Sequence, residues 1–175
     1  MPLPQKKQSS IAWWKEKRLS ASEAFIYNPL FINILNSIIY GQKDLILDFN
    51  LYLCEKFGYR ESCSVMQNAN GFCVDIRERD LDCYIRFWEY SCGRGNFPDW
   101  SIIIVRSNFK KNQEESLKDL ARFFKEYMPR YGYKYLCTED DDHKYYQTLG
   151  LKCIMDGFCP NYALALKDLN VWDMV

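Results

Sequence analysis

The sequence has no long hydrophobic run and no excess of charge of either sign. Its longest apolar stretches are short, such as residues 101–105, whereas a helix that spans a bilayer needs about 20 apolar residues. Lysine and arginine total 23, and aspartate and glutamate also total 23. Binding along nucleic-acid phosphates requires a surplus of basic residues. We therefore expect no membrane partner, and the charge balance disfavours a nucleic-acid partner.

The chain also lacks the residue spacings that bind transition metals. It has one histidine, and its eight cysteines include no Cys-x-x-Cys pair, the spacing typical of structural zinc sites. The acidic run 139–142 beside His143 offers oxygen ligands for a hard cation. Carboxylates also favour the start of a helix, and this second interpretation carries more weight. We expect no metal.

No apolar segment of signal-peptide length follows Met1, and residues 1–10 look like a flexible tail rich in proline, lysine, glutamine and serine. These features predict a cytoplasmic protein, in which cysteines stay reduced. We expect most of the thiols, including Cys137, to pack as small hydrophobic groups.

Apolar spacing in the first third of the chain predicts helices. A capping-box spacing at residues 20–23 and an apolar face over 30–38 indicate two of them. Leu51, Cys54 and Phe57 lie at helical spacing, and Gly58 is a plausible end. Residues 44–48 are predicted as a short strand.

After Tyr59 the pattern changes to strands. The Asn70–Gly71 pair predicts a hairpin between strands at 63–66 and 72–78. Alternation over 83–87 predicts a third strand. Residues 100–105 follow as a continuous apolar strand, which is typical of burial on both faces.

The last third alternates helices with strands. A long helix is predicted from its apolar stripe of Leu117, Leu120, Phe124, Tyr127 and Met128. A strand at 133–137, a short helix at 142–149 and strands at 151–155 and 162–167 follow. This order requires at least one parallel pair joined by a crossover helix. The sequence thus predicts an α/β class with a mixed, mostly antiparallel sheet in a single domain over 11–175. In that domain a helical part, 11–60, precedes a sheet-containing core, 61–170.

One segment sharpens this prediction. Residues 146–151 read Tyr-Gln-Thr-Leu-Gly-Leu, which resembles the Tyr-x-x-Leu-Gly-Phe motif of the GNAT acyltransferase superfamily, with leucine for the final phenylalanine. The strand that begins near Gly132, the long helix and the 100–105 strand stand at matching distances upstream. The resemblance covers about residues 71–167. It implies a three-layer α/β/α fold in which two central parallel strands splay apart and admit an acyl thioester.

The resemblance also implies a function and its residues. The expected activity is N-acetyltransferase-like: transfer of an acyl group from acetyl-coenzyme A or a related thioester to an amine or hydroxyl on a small molecule or protein. Tyr146 is the implied acid, because a phenol with a reference pKa of about 10 stays protonated at neutral pH. Glu89 and Asp99 are candidate bases by position alone. Backbone groups near Val105 are expected to align the thioester.

The coenzyme-phosphate loop departs from the family. The family pattern is Arg/Gln-x-x-Gly-x-Gly/Ala, but residues 106–117 contain no glycine. The candidate contacts are Arg106, Lys110, Lys111, Asn112 and Gln113. Two glutamates follow, at 114 and 115, where they would repel a bound diphosphate although carboxylates suit a helix start.

This departure supports a second interpretation, a catalytically inactive GNAT-fold binding or structural protein. Such a protein would act through contacts with a protein partner or as a homodimer, as a viral or mobile-element accessory protein does. Aromatic residues make up 17% of the chain and suit protein interfaces. Both interpretations stay open on the sequence.

Overall fold

The computed structural model describes residues 42–58, 63–139 and 143–171. The chain divides into two compact units, Met1–Ser62 and Cys63–Val175. This division falls close to the predicted boundary between the helical part and the sheet-containing core. The prediction that both parts form one domain stays a prediction. The predicted tail and the first two predicted helices lie outside the described residues.

The described part of the first unit is one helix, α1, Lys43–Phe57. It ends at Gly58, whose left-handed backbone (φ 66°) directs its N–H to the carbonyls of Cys54 and Leu53, as glycine does at many helix ends. The helix predicted around residues 51–57 is confirmed. The strand predicted at 44–48 is wrong, because a short apolar run alone cannot distinguish a strand from a buried helical turn.

The second unit is built on a seven-stranded sheet in the order β1-β2-β3-β4-β5-β7-β6. Its strands are β1 Ser64–Asn68, β2 Gly71–Glu78, β3 Leu81–Trp88, β4 Ser101–Phe109, β5 Tyr135–Thr138, β6 Lys152–Met155 and β7 Asn161–Ala165. Helix α2, Gln113–Tyr127, connects β4 to β5, and the short α3, His143–Thr148, connects β5 to β6. Short 3-10 turns cover Arg94–Asn96, Met128–Tyr131 and Leu166–Asp168.

Only the β4–β5 pair is parallel among the described strands; the other neighbours are antiparallel. The predicted class, a mixed and mostly antiparallel sheet with helices, is therefore confirmed. Helix α2 is the crossover that the parallel pair requires.

Alternation along the strands gives the sheet two apolar faces. On one face, Phe87 stacks on Phe72 and meets Phe124 of α2 edge-on. The predicted α2 stripe is buried there, with Phe124 and Met128 fully covered. Burial of each such side chain stabilises the fold by about 1.5–3 kcal/mol. The other face carries a second cluster of Trp88, Phe97, Ile103, Cys137 and Ala163.

The predicted β1–β2 hairpin is confirmed, with one difference. Asn68 pairs with Gly71, so the two-residue turn is Ala69–Asn70 and Gly71 is the first residue of β2. The Asn70 side chain donates to the Tyr90 carbonyl at 2.6 Å, which ties the turn to the loop after β3.

Strand β4 is longer than predicted, since it continues through residues 106–109. The prediction that these residues belong to the loop before α2 is wrong. Ser107 and Phe109 are buried on the α2 side, whereas Arg106 and Asn108 lie on the other face. The connection between β4 and α2 is therefore only residues 110–112.

All eight cysteines are free thiols, as predicted, and Cys63, Cys73, Cys83 and Cys137 are buried. Within residues 42–58, 63–139 and 143–171, no helix has the length and apolar character needed to cross a bilayer.

Candidate functional site

The candidate site lies where β4 and β5 stop pairing. Their parallel register ends with Ile104 opposite Thr138. The Ile104 carbonyl accepts hydrogen bonds from the Thr138 hydroxyl at 3.0 Å and from the Glu139 N–H at 3.2 Å. Strand β4 then continues to Phe109, whereas β5 has ended. In the described part of the chain, residues 105–109 of β4 thus pair with β3 alone.

A β-bulge occurs at the same point. Ile85 of β3 pairs with Ile104, and Tyr84 pairs with Arg106. Val105 is therefore an extra residue between two ladder positions. A bulge bends its strand and increases the local twist, so β4 bends at the residue where its partner β5 ends. The sequence predicted that backbone groups near Val105 would align a thioester.

Tyr146, the predicted acid, reaches β4 just beyond the bulge. Its hydroxyl lies 2.8 Å from the Ser107 hydroxyl, and either group can be the donor. Helix α3 ends at Thr148, and Gly150, one turn after Tyr146, has a left-handed φ of 89°. The Tyr146 side chain is only 1% exposed and Ser107 only 3%. A substrate would have to separate β4 from α3 locally to reach this hydroxyl.

The Gln113 side chain fills the loop where the family binds phosphate. Its amide oxygen accepts from the Phe109 N–H at 2.6 Å, and its amide N–H donates to the Ser107 carbonyl at 2.7 Å. The last backbone groups of β4 are thereby satisfied within the chain, and Gln113 fixes the angle at which α2 leaves the sheet. The Phe109 N–H therefore already donates to Gln113 and would have to break this hydrogen bond in order to bind a phosphate.

We expect Gln113→Ala to lower the free energy of unfolding by about 1–3 kcal/mol, because it leaves the N–H of Phe109 and the carbonyl of Ser107 without these partners. Urea unfolding followed by circular dichroism measures the change. Gln147→Ala is the matched control, since Gln147 is exposed and an exposed substitution usually changes stability by less than about 0.5 kcal/mol. Equal effects of the two substitutions would contradict the bridging role.

The next predicted phosphate contacts, Lys110, Lys111 and Asn112, lie in the connection between β4 and α2. Lys110 and Lys111 are exposed, and the Lys110 N–H donates to the Asp80 carbonyl at 3.2 Å. Asn112 precedes α2 in a left-handed conformation (φ 50°) and makes no side-chain cap. Glu114 pairs with Lys118 at 3.3 Å, so its carboxylate is directed along the helix.

Arg106 does not extend towards the start of α2 as a free cation. Its guanidinium donates to Asp82 at 2.8 Å and to Asp75 at 3.0 Å. Burial opposes its charge, but its bonds to Asp82 and its attraction to both carboxylates outweigh burial and raise the pKa of Arg106. The two carboxylates neutralise the charge that a phosphate would need.

Glu89 and Asp99, the predicted bases, lie at the other end of β4. The Trp100 N–H donates to the Glu89 carbonyl at 3.2 Å, and the Asp99 carboxylate accepts from the Ser91 N–H at 2.8 Å. A strand rises about 3.3 Å per residue, so the start of β4 is roughly 20 Å from Ser107. The structure therefore does not bring either carboxylate together with Tyr146.

The acidic run is only partly described. Glu139 forms an ion pair with Arg86 at 2.6 Å, while residues 140–142 lie outside the described part. No group of three or more histidine, cysteine or acidic side chains that could hold a metal is present among the described residues. Cys137 is fully buried and packs in the cluster opposite α2, in line with the packing role predicted for it.

Two features near the site were missed by the sequence reasoning: the side chain of Ser107 and the Arg86–Glu139 ion pair. Ser107 was missed because residues 106–109 were assigned to a loop, although Ser107 and Phe109 alternate with Arg106 and Asn108 as a strand requires. The Arg86–Glu139 pair joins residues 53 positions apart (139 minus 86), and no local spacing signals such a contact.

No known protein family matches the chain, and comparisons with curated proteins and with solved structures likewise give no match. The proposals below therefore rest on this chain's own residues and geometry, together with the resemblance carried by residues 146–151.

Proposed function

We propose that the protein is a GNAT-like acyltransferase that works where β4 and β5 part. It moves an acyl group from a coenzyme-A thioester, such as acetyl-coenzyme A, to an amine. The amine nitrogen attacks the thioester carbonyl carbon, the C–N bond forms and the C–S bond breaks. Tyr146 gives its hydroxyl proton to the leaving thiolate, and the proton released by the amine is carried by water to the Tyr146 phenolate, which restores the phenol.

The position of the Tyr146 hydroxyl carries this proposal. It lies against Ser107, three residues beyond the last parallel pair. An acyl group that bonded to the backbone of β4 near Val105, beyond its pairing with β5, would therefore have a proton donor within one or two residues. The Ser107 hydroxyl holds the phenol in place and can donate a hydrogen bond to the phenolate that forms when Tyr146 gives up its proton.

The start of α2 is the proposed place for the coenzyme phosphates. The Asn112 side chain does not cap the helix, and the positive end of the helix dipole favours an anion at this end. Lys110 and Lys111 lie beside them and are exposed. Gln113 and the glutamates at 114 and 115 oppose phosphate binding, so we expect an affinity weaker than a glycine-rich loop provides.

Thermal unfolding with and without acetyl-coenzyme A tests donor binding. Ligand at 100 times its dissociation constant should stabilise the protein by about 2.7 kcal/mol. Free coenzyme A and adenosine diphosphate separate the contribution of the acyl group from that of the phosphates. No shift at millimolar thioester would contradict the proposal.

Tyr146→Phe should lower kcat by about 10²–10⁴-fold and change the donor's Kd little, because only the transferred proton is lost. Tyr145→Phe is the matched control, since Tyr145 is the neighbouring phenol on α3 and is only half-buried. The assay follows thiol release in the presence of a panel of amines. Unchanged turnover in Tyr146→Phe would remove this residue from the mechanism.

A second candidate is a GNAT-shaped domain that binds a partner without chemistry. Two observations favour it: the bonds of Gln113 to the end of β4 and the burial of the Tyr146 hydroxyl. Such a domain would give no thermal shift with any thioester and no thiol release, and Tyr146→Phe would change only stability, by about 1 kcal/mol.

A further inference from the structure

A second group of polar side chains lies on the sheet face opposite α2. Arg86 and Trp88 are two residues apart on β3, so their side chains share that face. The register aligns Arg86 with Ile103 of β4, and Ile103 with Cys137 of β5. Glu139 follows two residues after Cys137, and its carboxylate spans β4 to pair with Arg86 at 2.6 Å.

Trp88 contributes a buried donor without a partner. Its side chain is 7% exposed, and no atom of residues 42–58, 63–139 or 143–171 accepts from its indole N–H. The Arg86 guanidinium lies 5.4 Å from the centre of the Trp88 ring. An unsatisfied buried donor is costly and uncommon in native proteins, so an oxygen from a ligand beside Arg86 would gain more here than at the surface.

The ion pair above Trp88 sets the charge of such a ligand. The Arg86 and Glu139 side chains are 24% and 25% exposed, so each charge is largely removed from water. A ligand with one charge would satisfy one side chain and leave the other unpaired, which is strongly unfavourable for a partly buried charge. A zwitterion avoids this, because its carboxylate pairs with Arg86 while its ammonium group pairs with Glu139. Both side chains therefore keep a partner of opposite charge.

We infer that Arg86, Trp88 and Glu139 form a binding site for an α-amino acid with an apolar side chain. The carboxylate forms a bidentate pair with the Arg86 guanidinium, and one of its oxygens also accepts a hydrogen bond from the Trp88 indole N–H. The ammonium binds Glu139. The apolar side chain packs among the half-buried hydrophobic residues that border the Trp88 cluster, Val105, Tyr135 and Ile154.

The role of this ligand as acyl acceptor rests on the proposed function. The Glu139 N–H bonds to the Ile104 carbonyl, so an amine held by Glu139 lies at the end of the parallel pairing, where the thioester carbonyl is proposed to bind. Binding of the amino acid itself needs no acyl donor. The two proposals can therefore fail separately.

Calorimetric titration of the full chain with L-leucine, L-methionine and L-phenylalanine tests the site without any thioester. We expect saturable binding of at least one of them. L-Leucinamide lacks the carboxylate and N-acetyl-L-leucine lacks the cation, so each should bind at least about tenfold more weakly than the parent amino acid. Equal binding of either analogue, or no binding of any amino acid at millimolar concentration, overturns the proposal.

The indole N–H of Trp88 gives a direct readout. Its resonance is identified by its absence in Trp88→Phe, and it should move downfield on titration as it gains an acceptor. Trp88→Phe should weaken binding by about tenfold or more, because a hydrogen bond to a charged group is lost. Trp100→Phe is the matched control, since Trp100 packs on Tyr133 at the start of β4. A Trp88 resonance that stays in place while the amino acid binds overturns the site.

Glu139→Gln keeps the shape of the carboxylate and should abolish the preference for the amino acid over N-acetyl-L-leucine. If this preference persists in Glu139→Gln, the cation is bound elsewhere and the proposal fails. If amino acids bind but no thioester raises the unfolding temperature, the acyltransferase proposal is contradicted and the amino-acid site is supported. If a thioester raises the unfolding temperature but no amino acid binds, the amino-acid site is contradicted and the acyltransferase proposal is unaffected.

Discussion

Gly71→Ala should lower the free energy of unfolding by about 3 kcal/mol or more, a large share of the roughly 5–15 kcal/mol that stabilises a typical domain. Gly71 has a φ of 151°, and a Cβ atom there would lie 2.1 Å from the Phe87 carbonyl oxygen. The next nearest atoms, in Phe87 and Trp88, also belong to the backbone. No side chain can move aside, so β2 or β3 must shift. Overpacking and an unsuitable φ both destabilise.

Gly157→Ala separates the two causes. Gly157 has a similar φ of 144°, but a Cβ atom there would meet nothing within 4 Å. This variant should lose only the conformational part, about 1 kcal/mol. Urea unfolding of both variants, followed by circular dichroism, gives the comparison. Equal losses would show that the contact with Phe87 is not the reason for glycine at position 71.

The Asn70–Gly71 pair illustrates what the sequence can predict. The pair correctly indicated a hairpin, because strands of alternating residues flank it. In a two-residue hairpin turn, the glycine of such a pair usually lies within the turn and adopts a positive φ. In the structure Asn70 ends the turn and Gly71 starts β2, and the close approach of the Phe87 carbonyl is what requires glycine. A local pattern predicts the turn, but the approach of β3 depends on tertiary packing.

The choice of the candidate site started from one motif and stays a prediction. Residues 146–151 led to Tyr146 and, through the resemblance, to the neighbourhood of Val105. The partners of these residues could not be predicted in the same way. The Tyr146–Ser107 bond joins two elements, and the bulge at Val105 depends on how β3 pairs with β4. Neither leaves a periodic signal in the sequence.

Glu89 and Asp99 show the limit of prediction by position. Both were chosen because they border strands that were expected to line the site. The structure places them at the start of β4, where the Asp99 carboxylate bonds to the Ser91 N–H and hydroxyl. Burial raises the pKa of the Tyr133 phenol, and the nearby Glu89 carboxylate raises it further. Glu89 and Asp99 lie beside the first residues of β4, whereas Tyr146 contacts Ser107 near its last residues. The sequence reasoning did not take into account at which end of the strand each residue lies.

Stability should fall steeply as the pH rises above about 9, and Cys137 should account for a distinct part of the slope. Burial raises the pKa of the Cys137 thiol from 9.0 to about 12, and a hydrogen bond with Ser101 offsets part of that effect. The folded state keeps the thiol protonated, whereas the unfolded chain releases this proton above pH 9. The free energy of unfolding therefore decreases by about 1.4 kcal/mol per pH unit between these two pKa values.

Comparison with Cys137→Ala isolates this contribution. Between pH 9 and pH 10 the free energy of unfolding of the wild type should fall by about 1 kcal/mol more than that of Cys137→Ala, and the difference should be absent below about pH 8. Cys159→Ala is the control, because its thiol is exposed, and it should follow the wild-type curve. Above about pH 10 the buried Tyr133 phenol adds a second loss in both proteins, because burial raises its pKa as well. Parallel curves for wild type and Cys137→Ala would mean that β5 opens readily enough for the Cys137 thiol to ionise in the folded state. An acyl site beside β5 would then have to form in a strand that is already mobile, rather than against the fixed edge that the Ile104–Glu139 bond provides.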